Sequence, residues 1–400
     1  MTHRQRPVSA RIAILSMGAL MFACSAKEVP HQRRGAFAFH YGSSLTREGL
    51  QWYSQFDLLV THDPLPRDQV DQLHTAGTRV LFYEWAVAFY ESRATDWQRS
   101  LLSTRNEDLL NQAPLTGASG SSTSGAWYFD PASPHHEFDR ATEIVGRIEA
   151  NGYDGVFFDT TTVENVHPEA RKEYERRHPQ TPYDLAFSRF LIQLRQKLPK
   201  GIIFTNQGYR SAEYYLPYAD WDLTESLVTW PRNGSYQMRP WNDPADPWNS
   251  IHFLMRNGIA PAAARYPNVR FGHLNYISQP SPETIRLAVA VARLSGGEGY
   301  VAAPSTSEEI DPVYFQNLGR PISALVDRPD GMSTYRFFEH GLIAVTAAAE
   351  KIVIDNPGEK GLRNRFTGET ICGDVITIPA APGQPRAWFF DSTSDCDKRR

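Results

Sequence analysis

Cysteine is scarce: three in 400 residues, at positions 24, 372 and 396. That spacing offers no zinc-type cluster, and the histidines show no metal-ligand spacing either. His135 and His136 are adjacent, so on a helix they point to different faces and read as a solvated helix start. An excess of positive charge is also lacking. Lys and Arg total 41 against 45 Asp and Glu, for a net charge of -4. There is no basic stripe interleaved with aromatics, which excludes nucleic acid as a partner, because phosphate binding needs a basic face. No apolar run is long enough to span a membrane comfortably. No glycine-rich dinucleotide loop follows the first strand-like stretch. GxSxG, HExxH and P-loop motifs are absent, which tells against serine-hydrolase, zincin and kinase chemistry. There is no internal repeat.

What is present begins with an export signal. "MTHRQRPVSAR" carries Arg4, Arg6 and Arg11, and the short apolar run "IAILSMGALMFA" follows. This is the order of a secretory leader. "MFAC" is similar to a bacterial lipobox, which implies lipidation of Cys24 and a mature chain anchored to a membrane through that lipid. Ser25 fits outer-membrane sorting in a Gram-negative cell. The competing reading is a plain leader with a chance cysteine and a secreted product. Residues 1–24 are thus leader and 25–34 tether. Cys372 and Cys396 can form a bridge in an exported protein.

Beyond the tether, strand and helix patterns alternate. Eight stretches read as strands: 36–41, 56–63, 78–85, 153–160, 201–207, 221–227, 271–277 and 299–303. They are short, β-rich and bounded by Gly, Pro or polar residues. Between them, "PRDQVDQLHTAG" sets Val70 and Leu73 on one face and stops at Gly77. "EFDRATEIVGRIEANG" sets Ile144, Val145 and Ile148 on one face and stops at Gly152. Ser281 followed by Pro282 marks another helix start. The pattern predicts a (β/α)8 TIM barrel over 35–330, with a doubly wound open sheet as runner-up. From about Tyr335 the period becomes two, with turns at "EHG" and "NPGEKG". This predicts a small C-terminal antiparallel β domain over 331–396.

In such a barrel the C-terminal strand ends share one mouth. They deliver His40, Tyr41, Asp63, Glu84, Trp85, Asp159, Asn206, Glu225 and Asn275. Carboxylates gathered there need partners or a purpose. Asp159 and Glu225 end the fourth and sixth strands, and two carboxyls facing one pocket are the minimum for glycoside hydrolysis. One must hold a proton, which an apolar surround would favour. Aromatic faces also stack on sugar rings, which gives a use to the 12% aromatic content. The loop 229–248 supplies Trp230, Trp241 and Trp248 for that purpose, or for its own packing. Asp159 has a bland alternative, capping the next helix or pairing with Arg210. Asp63 and Glu84 read equally as substrate contacts or as bonded rim carboxylates. Asp154, at the far end of its strand, reads as structural.

The stretch "WYFDPASPHHEFDRATEIVGRIEANGYDGVFFDTTT", 127–162, resembles glycoside hydrolase family 114 and the related glycoside hydrolase-like family 15 (distinct from the glucoamylases of similar number). It carries their "D-P" element at Asp130–Pro131 and their "G-[FY]-D-G-V-F-[FL]-D" element from Gly152 to Asp159. "DWDLTESLVTW", 220–230, is similar to the strand that brings a glutamate to the same pocket, and "YRFFEHGLIAVTAAAEKIVI" looks like the family's closing β domain. The resemblance implies a barrel, no metal and no cofactor, and a polysaccharide or glycoconjugate substrate. It also implies Asp159 as nucleophile and Glu225 as acid/base of a retaining reaction. Two other classes compete: a non-catalytic glycan-binding lipoprotein, and a metal hydrolase drawing on His40, His62 and His273.

Overall fold

The computed structural model describes residues 34–116, 125–232, 234–278, 281–302, 311–356 and 361–396. The leader, Cys24, most of the tether and residues 117–124 of the glycine- and serine-rich loop lie outside them. All eight predicted strands form: β1 Ala38–His40, β2 Leu58–Thr61, β3 Arg79–Trp85, β4 Gly155–Asp159, β5 Ile202–Asn206, β6 Trp221–Glu225, β7 Arg270–Tyr276 and β8 Glu298–Ala302. They pair in chain order, every pairing parallel. Helices lie between them, as parallel crossovers require. The first and last strands lie beside each other. The fold is a (β/α)8 barrel.

Local chemistry explains the helices that matter here. α1, Arg47–Tyr53, is capped by Thr46, which accepts from the Gly49 amide. α2 is Arg67–Thr75, and α3, Arg140–Asn151, ends on Gly152 at φ 71°, the left-handed stop that glycine adopts without a Cβ penalty. α4 is Tyr183–Lys197. α5, Pro282–Leu294, starts on Ser281, whose hydroxyl accepts from the Thr284 amide. Among the described residues no helix is long and apolar enough to cross a membrane.

Side chains alternate across each strand. On β4, Phe157 and Asp159 point into the barrel, while Phe158 points out onto Phe190 of α4, ring centres 5.6 Å apart. The interior is an aromatic plug. Phe157 lies 5.1 Å from Phe39 and 5.2 Å from Phe204, and Phe204 lies 5.4 Å from Trp221. Much of the aromatic content that suggested sugar stacking is used here instead. Each such pair adds about 0.5–1.5 kcal/mol beyond simple burial. Gly155 starts β4 because a Cβ there would sit 2.0 Å from the Ile202 carbonyl oxygen of β5. At the bottom of the barrel Asp154 accepts from the Val80 amide at 2.7 Å and contacts His74 at 2.9 Å. That is the structural role expected for it.

The C-terminal antiparallel sheet packs on α5. Its central strand, Gly341–Thr346, is buried along its whole length. Ile343 and Val345 join the barrel's core, while Leu342 and Ala344 join a smaller one with Ile352, Ile376 and Phe390. The sheet is thus apolar on both faces. Arg286 of α5 lies 3.7 Å over the Phe366 ring. Cys372 and Cys396 are disulfide-bonded.

Candidate active site

The three strand ends at the centre of the mouth share one local device. Asp159, Asn206 and Glu225 end β4, β5 and β6. The next residue in each case is in the left-handed region: Thr160 at φ 54°, Gln207 at 60° and Ser226 at 57°. Among the described residues no other non-glycine residue has positive φ. For an L-residue this costs about 1–2 kcal/mol, more for a β-branched one. Packing on the outside of the barrel holds the turns in place. Buried Asp222 accepts from Thr205 Oγ1 at 2.7 Å and from the amides of Gly208 and Tyr209 at 2.8 and 2.9 Å. Burial pushes its carboxyl up to about 7. Asn275 Oδ1 accepts from the Val228 and Thr229 amides at 2.7 and 3.3 Å, which fixes the chain after Glu225.

Inside the mouth, Asp159 accepts on both oxygens. Tyr83 donates to Oδ2 at 2.5 Å and Asn206 Nδ2 donates to Oδ1 at 2.7 Å. The same Asn206 side chain reaches Glu225, so one amide stands between two carboxyls. Its Oδ1 is buried with no donor. Tyr276 donates to Glu225 Oε1 at 3.4 Å, and the Tyr41 hydroxyl lies 2.8 Å from that of Tyr276. Glu225 is pushed up to about 8, by burial first and by the neighbouring Asp159 charge second. Two like charges this close resist joint ionisation. Burial likewise pushes the phenols of Tyr83 and Tyr276 up, with the Asp159 and Glu225 charges adding to it respectively. Both remain donors. Among the described residues neither Asp159 nor Glu225 has an Arg, Lys or His partner within salt-bridge distance. Arg210, the alternative partner for Asp159, pairs with Glu164.

Several expected contacts fall elsewhere, and strand parity is the reason. Glu84 is on the outer face of β3. It is buried against Arg140 at 3.1 Å and Arg147 at 2.8 Å, as the bonded-carboxylate alternative of its two readings has it. His40 faces outward onto Tyr53, 3.4 Å from its hydroxyl, and burial lowers its pKa. Asn275 faces outward too, in the loop role given above. Trp241 is core: it is 2% exposed, and its indole N–H donates to the Gly331 carbonyl at 3.1 Å. Trp230 lies at the rim under Arg239, 4.6 Å away. His136, expected to be solvated, is buried against Arg140 at 2.8 Å. The histidines invoked for a metal do not converge. His273 is buried against Ser295, His40 lies outside the barrel, and His62 is at the rim beside Tyr83. Among the described residues no three His, Cys, Asp or Glu side chains gather as a metal site.

Asp159, Asn206, Glu225 and Tyr41 do come together. Trp85 pairs in register with Asp159, and Asp63 sits at the rim 3.5 Å from Arg93. The sequence reading missed Tyr83, Tyr276 and Tyr236, whose ring stacks 5.1 Å from that of Tyr276. Counting by twos would have found the first two. Tyr83 and Trp85 share the inward face of β3, as Leu274 and Tyr276 share that of β7.

No protein-family model matches the chain, and no curated protein matches it. Solved structures do share the fold. The isomalto-dextranase of Arthrobacter globiformis T6, complexed with panose, aligns at 11% identity and TM-score 0.56, over 90% of this chain and 72% of that one. The α-galactosidase from Lactobacillus brevis aligns at 13% identity and TM-score 0.53, over 91% of this chain and 56% of that one. The glycoside hydrolase domain of PelA from Pseudomonas aeruginosa aligns at 22% identity and TM-score 0.48, over 67% of this chain and 94% of that one.

Proposed function

We propose that this chain is a retaining glycoside hydrolase acting on an extracellular polysaccharide or glycoconjugate. Asp159 is its nucleophile and Glu225 its acid/base. One observation carries the reading. Two carboxyls from alternate strands meet over the Asn206 amide with divergent environments: burial and the Asp159 charge push Glu225 up to about 8, while Asp159 accepts two donated hydrogen bonds. A carboxyl raised in this way beside a second carboxyl that accepts hydrogen bonds suits the acid/base role, and its neighbour the nucleophile role. In the first step Asp159 attacks the anomeric carbon as Glu225 gives its proton to the departing oxygen. In the second, water attacks that carbon, the bond to Asp159 breaks, and Glu225 takes the water's proton. Tyr83 and Asn206 hold Asp159 in line, and Tyr276 orients Glu225. The fold neighbours include glycosidases, so the scaffold is compatible with this chemistry; fold alone does not assign it. The N-terminal reading adds export, with Cys24 as lipid attachment point on the cell envelope.

The test is release of reducing ends from a panel of bacterial and fungal exopolysaccharides, amino-sugar polymers included. Glu225→Gln should lower kcat by about 10²–10⁴-fold, and Asp159→Asn should abolish turnover, with folding of both checked by circular dichroism. NMR of the first-formed anomer reads the stereochemistry. Release that survives both substitutions would overturn the assignment of the pair.

A further inference from the structure

Beside the carboxyl pair lies a cavity of about 400 Å³ that the two-carboxyl chemistry does not use. Asp63, Tyr83, Trp85, Tyr90, Arg93 and Gln98 line it. Two of its lining residues also belong to the candidate site, although Asp159 and Glu225 do not line it. Tyr83 lines it and also donates to Asp159 at 2.5 Å. Trp85 lines it and is the register partner of Asp159.

The lining has two kinds of surface. One is aromatic: Trp85 and Tyr90 both line the cavity, with ring centres 4.8 Å apart and planes tilted by 40°. The other is polar and charged. Asp63 Oδ1 sits 3.5 Å from Arg93 Nη1, with side-chain exposures of 34% and 65%. The same Asp63 oxygen lies 3.5 Å from His62 Nδ1, and both contacts are longer than a normal hydrogen bond, which leaves the groups able to take another partner. The ion pair of Glu84 with Arg147, 2.8 Å, also lines it. A carboxylate and a guanidinium side by side present an acceptor next to a donor fork. This matches two adjacent hydroxyls, one donating to Asp63 and its neighbour accepting from Arg93. An aromatic wall matches the C–H face of the same ring.

We infer that this cavity is a second sugar subsite, which holds the pyranose unit adjacent to the one attacked by Asp159 through a vicinal diol on Asp63 and Arg93 and a ring face on Trp85 and Tyr90. The inference rests on the glycan reading of the proposed function and narrows it. The substrate is a chain of at least two units, and a single sugar bearing a simple leaving group uses only part of the site.

The experiment measures binding rather than turnover. The full chain carrying Glu225→Gln is titrated calorimetrically with linear oligosaccharides of one to six units. Three series are used: α-1,4-glucan, α-1,6-glucan and α-1,4-linked amino sugar. Asp63→Ala and Arg93→Ala are each added to that background, and both alter rim residues. In at least one series, affinity should step up about tenfold or more when the second unit is added, the scale of a charge-assisted hydrogen-bond pair. Both added substitutions should abolish that step. A step that survives both would overturn the subsite, as would binding with no dependence on length or no binding in any series. If the step and its loss appear but the natural chain releases no reducing ends, the subsite stands and the hydrolase reading falls.

Discussion

Glutamine in place of Glu225 should make the protein more stable at pH 9 and change it little at pH 4. The carboxyl of Glu225 is pushed from 4.5 to about 8, by burial first and by the Asp159 charge second. In the unfolded chain it ionises near the ordinary value, so folding favours the protonated form. A carboxyl raised in this way contributes stability that is complete below about pH 4.5. It is lost progressively as pH rises to about 8. One proton across that interval, at about 1.4 kcal/mol per pH unit, sets a ceiling near 5 kcal/mol. Relaxation and water entry around the ionised group recover part of it, which leaves about 2–4 kcal/mol. Glutamine has nearly the same shape and no charge to bury. Thermal unfolding of both proteins from pH 4 to 9 is the assay. The midpoints should coincide at acid pH and diverge by several degrees above pH 8. Parallel curves across the whole range would refute the reasoning, because they would show that Glu225 ionises in the folded protein as easily as in water. The same proton should set the alkaline limb of activity, with half-loss near pH 8.

Glu84→Ala should destabilise the fold by about 3–5 kcal/mol in urea titration, since it leaves the buried Arg140 guanidinium uncompensated; a stable variant with weakened glycan binding would instead return Glu84 to the substrate. Trp241→Ala should cost about 3–5 kcal/mol through the core cavity it opens, and unchanged stability with lost binding would contradict its burial. Thr160→Gly relieves a left-handed β-branched residue and loses some unfolded-state entropy advantage, for a net gain of about 0.5–1 kcal/mol. A loss of stability on that substitution would mean that the turn after Asp159 is not strained.

The barrel was legible because its strands are short, separate and bounded by turn residues. Periodicity alone locates such elements, and Gly77, Gly152 and Ser281 punctuate them. Asp159, Asn206 and Glu225 were legible because each closes a strand, and a barrel brings strand ends together. Glu84, His40 and Asn275 lie on the outer face of their strands for one reason. A strand's last residues alternate between mouth and helix layer, and position near the end does not say which side a residue takes. Trp241 takes the packing alternative of its two readings because its indole N–H reaches the Gly331 carbonyl, a contact between segments 90 residues apart in sequence. Tyr83 and Tyr276 lay within recognised strands, but their meaning depends on which carboxyl they face across the ring.

Hydrophobic period and turn chemistry are local, so the order and type of elements can be read along the chain, as can the arrival of carboxyls at the mouth. Which of those carboxyls are bound in ion pairs depends on packing between distant segments. Burial and the Asp159 charge push the Glu225 carboxyl up, while Asp159 accepts from Tyr83 and Asn206. Those outcomes depend on burial and on charges brought together from strands far apart in the chain, and neither is encoded in any short stretch of residues.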